Sequence, residues 1–281
     1  MTAPITKLTT GSGHALGVTL PEGWTAGTVD TNGVELQYYR AGEGPPVVLA
    51  HGLFDTGRCW APLVADLAAD HTVVAYDARG HGRSAAPETG YGVDDRVADL
   101  VGVGDALSLT DPVLVGHSMG ASTVALAAAR HPAWPSGVVL EDPAGLHGTP
   151  ERGPDERARL VRERVEARAR RSVDELTEEH EDRDPDLARR LAVADRECSP
   201  AVAAVVRHGF PPLADAFAEI RTPTLVLRRD TEPSTRVADL DVADALGDGR
   251  LVHVPGAGHC VFRDRYDAAF AELTVFLRRL G

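Results

Sequence analysis

The sequence predicts a mixed α/β fold: a mostly parallel sheet with an antiparallel start and a helical segment inserted late in the chain. Three observations carry this. Short apolar runs at 46–50, 72–76, 113–115, 137–140 and 223–227 are bounded by turn residues and are too brief for buried helices, the pattern of strands covered on both faces. Segments of helical periodicity alternate with them, which implies right-handed crossovers and parallel neighbours. From 145 to 215 the strand pattern stops, and Arg mixes densely with Glu and Asp.

In order, residues 1 to 26 are polar and punctuated by glycine, with no clear element. The run 28–39 alternates about Asn32-Gly33, the composition of a type I′ hairpin, so the sheet begins antiparallel. Strand 46–50 leads into His51-Gly52-Leu53-Phe54, a helix follows at 57–69, and strand 72–76 runs into Asp77-Ala78-Arg79-Gly80-His81-Gly82-Arg83-Ser84. Val97, Leu100, Val101 and Leu107 place a helix at 94–108. Strand 113–115 then passes through Gly116-His117-Ser118-Met119-Gly120 into an Ala-rich helix that ends at His131-Pro132. Strand 137–142 closes this part. The inserted segment carries clear helix starts: a capping box at Ser172–Glu175, and the pairs Asp184-Pro185 and Ser199-Pro200. Its first helix, 155–171, has only a thin apolar stripe of Leu160, Val161 and Val165, so its charges are expected to form a solvated face. The sheet resumes at 223–227, followed by a helix near 237–246, a strand at 250–254 and an amphipathic helix at about 264–280. The expected organisation is a core of 1–144 and 216–281 with a helical cap at 145–215.

Length and composition bound the function. A chain of 281 residues with 43% hydrophobic content can bury one large core with an inserted subdomain. Lys7 is the only lysine, and the formal net charge of −13 argues against nucleic acid or an anionic membrane as partner. Three cysteines (Cys59, Cys198, Cys260) are odd in number and lack metal-ligand spacing, which points to a reducing compartment. No apolar leader or membrane-length stretch is visible. The expectation is a cytoplasmic protein, monomer or homodimer, acting on a small molecule without cofactor or metal.

The chemistry starts at Ser118. Strand, G-x-S-x-G and helix in succession form a nucleophile elbow: the serine is thrust out at a turn so sharp that neighbouring backbone passes close by, and the flanking residues must be small. The hydroxyl then sits at a helix N-terminus, where free N–H groups favour developing negative charge. At these residues the chain resembles the α/β-hydrolase family. That resemblance implies the α/β-hydrolase fold and a nucleophile–histidine–acid triad. His259, after the last strand in Pro255-Gly256-Ala257-Gly258-His259, lies where the family has its histidine, and it supplies the base an unactivated hydroxyl needs. The oxyanion donors implied are the backbone N–H groups of Met119 and, from the His51-Gly52-Leu53 loop, Leu53, with Gly52 as fallback. The D-x-R-G-x-G-x-S loop resembles the family's bracing element, so Asp77 and Arg79 carry no catalytic role. His51, His81 and His117 are taken as loop-shaping hydrogen-bonders. Phe54 and Trp60 are the candidate substrate contacts, and Cys260 is taken as structural.

The acid departs from the family's usual pattern. Most members carry it in a G-x-x-D turn after the strand corresponding to 223–228, where this chain has Arg229-Asp230-Thr231-Glu232 without the glycine. Asp142, at the end of the strand after the elbow, is preferred; fungal lactone hydrolases of the zearalenone type, which this stretch resembles, place theirs there. Glu232 and then Asp230 are the alternatives. The implied activity is an esterase or lactonase working through an acyl-serine. Carbon–carbon bond hydrolysis, cofactor-free perhydrolysis and a slow-turnover ligand receptor use the same triad and stay open as alternatives.

Overall fold

A computed structural model describes residues 6–8, 19–147 and 152–281. The strands are β1 (Thr6–Leu8), β2 (Thr25–Thr31), β3 (Val34–Ala41), β4 (Pro46–Ala50), β5 (Thr72–Tyr76), β6 (Val113–His117), β7 (Gly137–Glu141), β8 (Thr224–Arg228) and β9 (Gly249–His253). The helices are α1 (Ala61–Leu67), α2 (Val93–Ala106), α3 (Met119–Arg130), α4 (Pro154–Ala169), α5 (Val173–Glu178), α6 (Pro185–Glu197), α7 (Ala203–His208), α8 (Ala214–Glu219), α9 (Pro233–Ala243), α10 (Val261–Asp264) and α11 (Tyr266–Leu280). Single 3-10 turns cover Gly57–Trp60 and Pro200–Val202. The chain forms two compact units, one from Met1–Pro45, Leu53–Ser108 and Glu151–Gly209, the other from Pro46–Gly52, Leu109–Pro150 and Phe210–Gly281.

In the first unit β1, β2, β3 and β5 are antiparallel in that order. β1 lies in the stretch for which the sequence offered no element. Thr31 pairs with Val34, and Asn32 and Gly33 both have positive φ, 46° and 74°, so the hairpin closes through the expected I′ turn. Asn32 Nδ2 also donates to Asp99 Oδ1 at 3.0 Å, fixing the turn to α2. Asp99 is paired with Arg79, both nearly inaccessible, and Arg79 Nε donates to it at 2.6 Å. Asp77 accepts from Gly57 N–H at 2.8 Å, Arg83 N–H at 2.9 Å and the Tyr39 hydroxyl at 3.0 Å. Each donor comes from a different stretch of chain. A buried carboxylate used this way is a brace.

The described residues of 145–215 contain helices and no strand, and the helical segment 154–208 belongs to the first unit. Its start signals act as expected: Ser172 Oγ accepts from Glu175 N–H, and Asp184 Oδ1 accepts from Asp186 and Leu187 N–H. Residues 148–151 lie outside the described part. α6 packs Leu187, Leu191 and Ala194 against Cys59 of the first 3-10 turn, and buried Arg58 pairs with Glu197. Most charged residues of α4 form the expected solvated face, and two arginines also make contacts across the unit. Arg164 and Arg168 both approach Asp195 on α6, and the Arg164 guanidinium lies 4.3 Å from the Phe54 ring centroid. Leu160, Val161 and Val165 lie on the less exposed side of α4, Val165 buried, so the thin stripe expected from the sequence faces inward and Arg164 and Arg168 add to it.

In the second unit β4, β6, β7, β8 and β9 are all parallel, and β6, β7 and β8 are buried along their whole length. The register brings the carboxyl ends of the strands level: His117 pairs with Glu141, Glu141 with Leu227, and Arg228 with His253. Two helices differ from expectation. α9 begins at Pro233 because Glu232-Pro233 is an N-cap and first-turn pair, and the closing helix is split into α10 and α11 at Arg265, where φ is −142°.

Gly33→Ala should destabilise the protein by about 1–2 kcal/mol, the cost of a Cβ in the left-handed region. Gly247→Ala, with open space and no positive φ, should stay within about 0.5 kcal/mol. Urea denaturation of both variants checks this; equal effects would refute the turn assignment.

Candidate active site

Ser118 sits between β6 and α3 with φ 49° and ψ −109°, a conformation most side chains avoid. Strain of this kind costs on the order of 1–3 kcal/mol and persists only where the surroundings over-determine it. Here they do. Ser118 N–H donates to Glu141 O at 2.9 Å, while Ser118 O accepts from Ala144 N–H at 3.0 Å and Ser122 N–H at 3.1 Å. The flanking glycines answer to space. A Cβ on Gly120 would lie 2.1 Å from Ala50 O and 2.7 Å from His51 O, and one on Gly116 would lie 2.5 Å from Gly120 O. The start of α3 therefore packs directly on the carboxyl end of β4, where the His51-Gly52 loop begins.

His259 reaches Ser118 from the loop after β9, with Nε2 3.0 Å from Oγ. Its Nδ1 lies 2.5 Å from Asp142 Oδ2, so Asp142, at the end of β7, is the carboxylate at this nitrogen. With Nδ1 donating to the carboxylate, Nε2 is left to accept from the serine hydroxyl. The Asp142 side chain has no solvent exposure, whereas that of His259 is 46% exposed. Burial opposes ionisation of Asp142, but the His259 hydrogen bond and the charges of Arg228 and Arg229 outweigh it and hold the carboxyl below its ordinary range.

The other acid candidates do different work. Glu232 is the N-cap residue of α9. Asp230 Oδ2 accepts from Gly256 N–H at 2.8 Å and Asp230 N–H donates to Ala257 O at 2.9 Å, so it braces the loop that carries His259. The three motif histidines each bond a backbone oxygen: His51 Nδ1 to Gly52 O at 2.7 Å, His81 Nδ1 to Arg79 O at 3.0 Å, and His117 Nε2 to His259 O at 3.1 Å. Met119 opens α3 directly after the serine, and Leu53 follows Gly52 at the end of the β4 loop. Phe54 has φ 74° and lies under Arg164; Trp60 is nearly buried. Cys260 is a free thiol beside the histidine, 3.7 Å from Arg263 Nη1. Among the described residues no cluster of His, Cys, Asp or Glu is arranged to hold a metal ion, and no helix is long and apolar enough to cross a membrane.

Sequence reasoning missed a second layer behind Asp142. Arg228 ends β8 with a buried side chain and donates through Nη1 to Asp142 Oδ1. Its Nε and Nη2 grip Asp239 of α9 at 2.9 and 3.1 Å. Asp239, fully buried, also meets His147 Nε2 at 2.6 Å and His253 Nε2 at 2.9 Å. Arg229 Nε approaches Asp142 Oδ2 at 3.1 Å. One signal was available. A buried strand whose apolar run Leu225–Leu227 ends in Arg228 must find carboxylates for the guanidinium it buries.

Residues 47–273 match the alpha/beta hydrolase family. The chain belongs to that family. Among relatives within it, the 2-(acetamidomethylene)succinate hydrolase of Mesorhizobium japonicum is 37% identical over 114 residues, which is 41% of each chain. Epoxide hydrolase A of Mycobacterium tuberculosis is 43% identical over 101 residues, 34% of this chain and 31% of that one. The alignments thus span well under half the length of these curated relatives. Likeness in structure is broader. The solved E-2-(acetamidomethylene)succinate hydrolase has a TM-score of 0.75 at 26% identity, covering 91% of this chain and 99% of the other. The enol-lactonase of Burkholderia xenovorans gives 0.73 at 26%, covering 89% and 99%.

Two outcomes follow from this geometry. Gly120→Ala forces backbone at Ala50 and His51 to move, and should cost about 1–3 kcal/mol of stability by chemical denaturation; a neutral effect would contradict the packing. Burial pushes Asp239 up, but hydrogen bonds from Arg228, His147 and His253 prevail and lower it from 3.8 to about 2. A depressed carboxyl contributes stability that is present above its unfolded value and lost as pH falls through its folded one, here from 3.8 towards 2. Asp239→Asn should therefore flatten the fall of urea stability across that window; unchanged slopes would refute it.

Proposed function

We propose that this protein is a serine hydrolase that cleaves a carboxylic ester or lactone through an acyl-Ser118 intermediate. The observation that carries this is the unbroken line from Ser118 Oγ through His259 to buried Asp142, at 3.0 and 2.5 Å. Ser118 Oγ adds to the acyl carbon while His259 Nε2 takes its proton. The oxyanion is met by the Met119 N–H at the start of α3; the second donor is the one the sequence register gives, Leu53. Collapse expels the alkoxide, which receives the proton from His259. Water, deprotonated by the same nitrogen, then releases the acid and restores the serine. Asp142 stays ionised throughout, holding the imidazole in one tautomer and stabilising its protonated form.

Serine as nucleophile favours acyl transfer over opening of an epoxide, despite the partial likeness to epoxide hydrolases. The likeness to an enol-lactonase over most of both chains supports a cyclic or activated ester as the substrate bond.

Ser118→Ala should lower turnover of p-nitrophenyl acetate by an order of ~10³–10⁶. Wild type mixed with a fluorophosphonate should gain one covalent adduct, mapped to Ser118 by peptide mass spectrometry, and the alanine variant none. Retention of more than about a tenth of the rate, or labelling elsewhere, would sink the assignment.

A further inference from the structure

Asp142 is served by two kinds of donor on its two oxygens. Oδ2 receives His259 Nδ1, the contact a triad needs, with half-exposed Arg229 Nε 3.1 Å away, while Oδ1 receives buried Arg228. A guanidinium is planar, and two parallel bonds to one carboxylate fix that plane. Arg228 makes such a pair with Asp239 through Nε and Nη2, which aims its remaining nitrogen at Asp142. Both ends are buried: the Arg228 side chain is 6% exposed, and those of Asp142 and Asp239 have no exposure. We propose that Arg228 is a positioning residue for the triad acid, holding Asp142 against His259 and, in balance with Asp239, setting how much of the Asp142 charge acts on the imidazole. This rests on the serine-hydrolase reading above.

A cation on the far oxygen of Asp142 weakens the attraction that carboxylate exerts on a positive charge developing on His259. Asp239 acts the opposite way, both by neutralising Arg228 and by its own negative charge. The other ionisable groups facing this line are His147 and His253 on Asp239, Arg229 on Asp142, and His117, whose ring centroid lies 4.8 Å from that of His259. Buried Glu141, which accepts from Phe262 N–H at 2.8 Å, feels His117, Arg263 and His259. Arg229, His117 and Glu141 make no contact with 239, whereas His147 and His253 lose a carboxylate partner in Asp239→Asn, which removes negative charge in the same sense as the substitution itself.

The test is the pH profile of kcat/KM on p-nitrophenyl acetate for wild type, Arg228→Lys, Arg228→Met and Asp239→Asn. Arg228→Met should lower the rate by roughly tenfold or more and move the acid limb upward by at least about half a pH unit. Asp239→Asn should move the limb downward. Arg228→Lys keeps the charge and loses the fork, so its limb should stay near that of wild type while part of the rate returns. Limbs that stay in place, or move together, overturn the proposal, since a purely structural role costs rate without opposite shifts. Should Arg228→Met fail to fold by circular dichroism, the downward shift of Asp239→Asn with an unmoved Arg228→Lys limb decides in its favour, and any other pattern against it. Ser118→Ala and the fluorophosphonate adduct separate the two claims: a dead, unlabelled Ser118→Ala beside coincident limbs overturns only the role of Arg228.

Discussion

A carboxylate removed from water stays ionised only if cations and donors replace its hydration shell. Asp142 is in that position, and much of the second unit is arranged around it. Its charge draws on His259 from the loop after β9, Arg228 from the end of β8 and Arg229 from the turn beyond. Parallel register makes this possible. Asp142 N–H donates to Leu227 O at 2.8 Å, and Val254 N–H donates to Arg228 O at 2.9 Å, so the ends of three neighbouring strands stop side by side. Arg228 then needs a second carboxylate, because a guanidinium carries five donors and one oxygen of Asp142 satisfies few of them. Asp239 on α9 meets that need.

Backbone strain is the other constraint, and it falls at the same place. Ser118 and Asp142 both adopt positive φ, 49° and 38°. Neither residue type is at ease there, although aspartate tolerates the region better than most. The two turns secure each other: Ser118 donates to the carbonyl of Glu141, and Ala144 donates back to the carbonyl of Ser118. A strained turn held on both sides by its neighbour leaves the serine hydroxyl few alternative positions, which is what a nucleophile that must meet a fixed imidazole requires.

Local signals made much of this legible in the sequence. Asn32-Gly33, the glycines about Ser118 and the proline-marked helix starts each act within a few residues, and each appears where its chemistry demands. What depends on register was harder to see. The choice among Asp142, Glu232 and Asp230 turns on which strand ends lie adjacent, information that no single stretch contains. Glu232 precedes Pro233, a pair that starts α9, and this alone would have moved the helix forward from 237 and weakened the case for Glu232 as the acid. β1 is only three residues long and carries no alternation to detect. Asp239 looks like any polar residue of a surface helix until Arg228, His147 and His253 are seen around it.

Placing the acid on β7 also changes what is coupled to what. An acid after β8 would reach the histidine from two strands away from the nucleophile, connected to it only through the packing of the sheet. Here the nucleophile and the acid follow adjacent paired strands, and the residue before the acid, Glu141, accepts the N–H of the nucleophile itself at 2.9 Å. A shift of the Glu141–Asp142 peptide therefore moves Ser118 and Asp142 together and tends to preserve their spacing. The histidine is then the member free to adjust, on a loop tied down by Asp230 through Gly256 and Ala257 and by His117 through the carbonyl of His259. With nucleophile and acid sharing one pair of strands, the end of β8 is released from supplying the carboxylate, and this chain fills it with the cation that the carboxylate on β7 lacks.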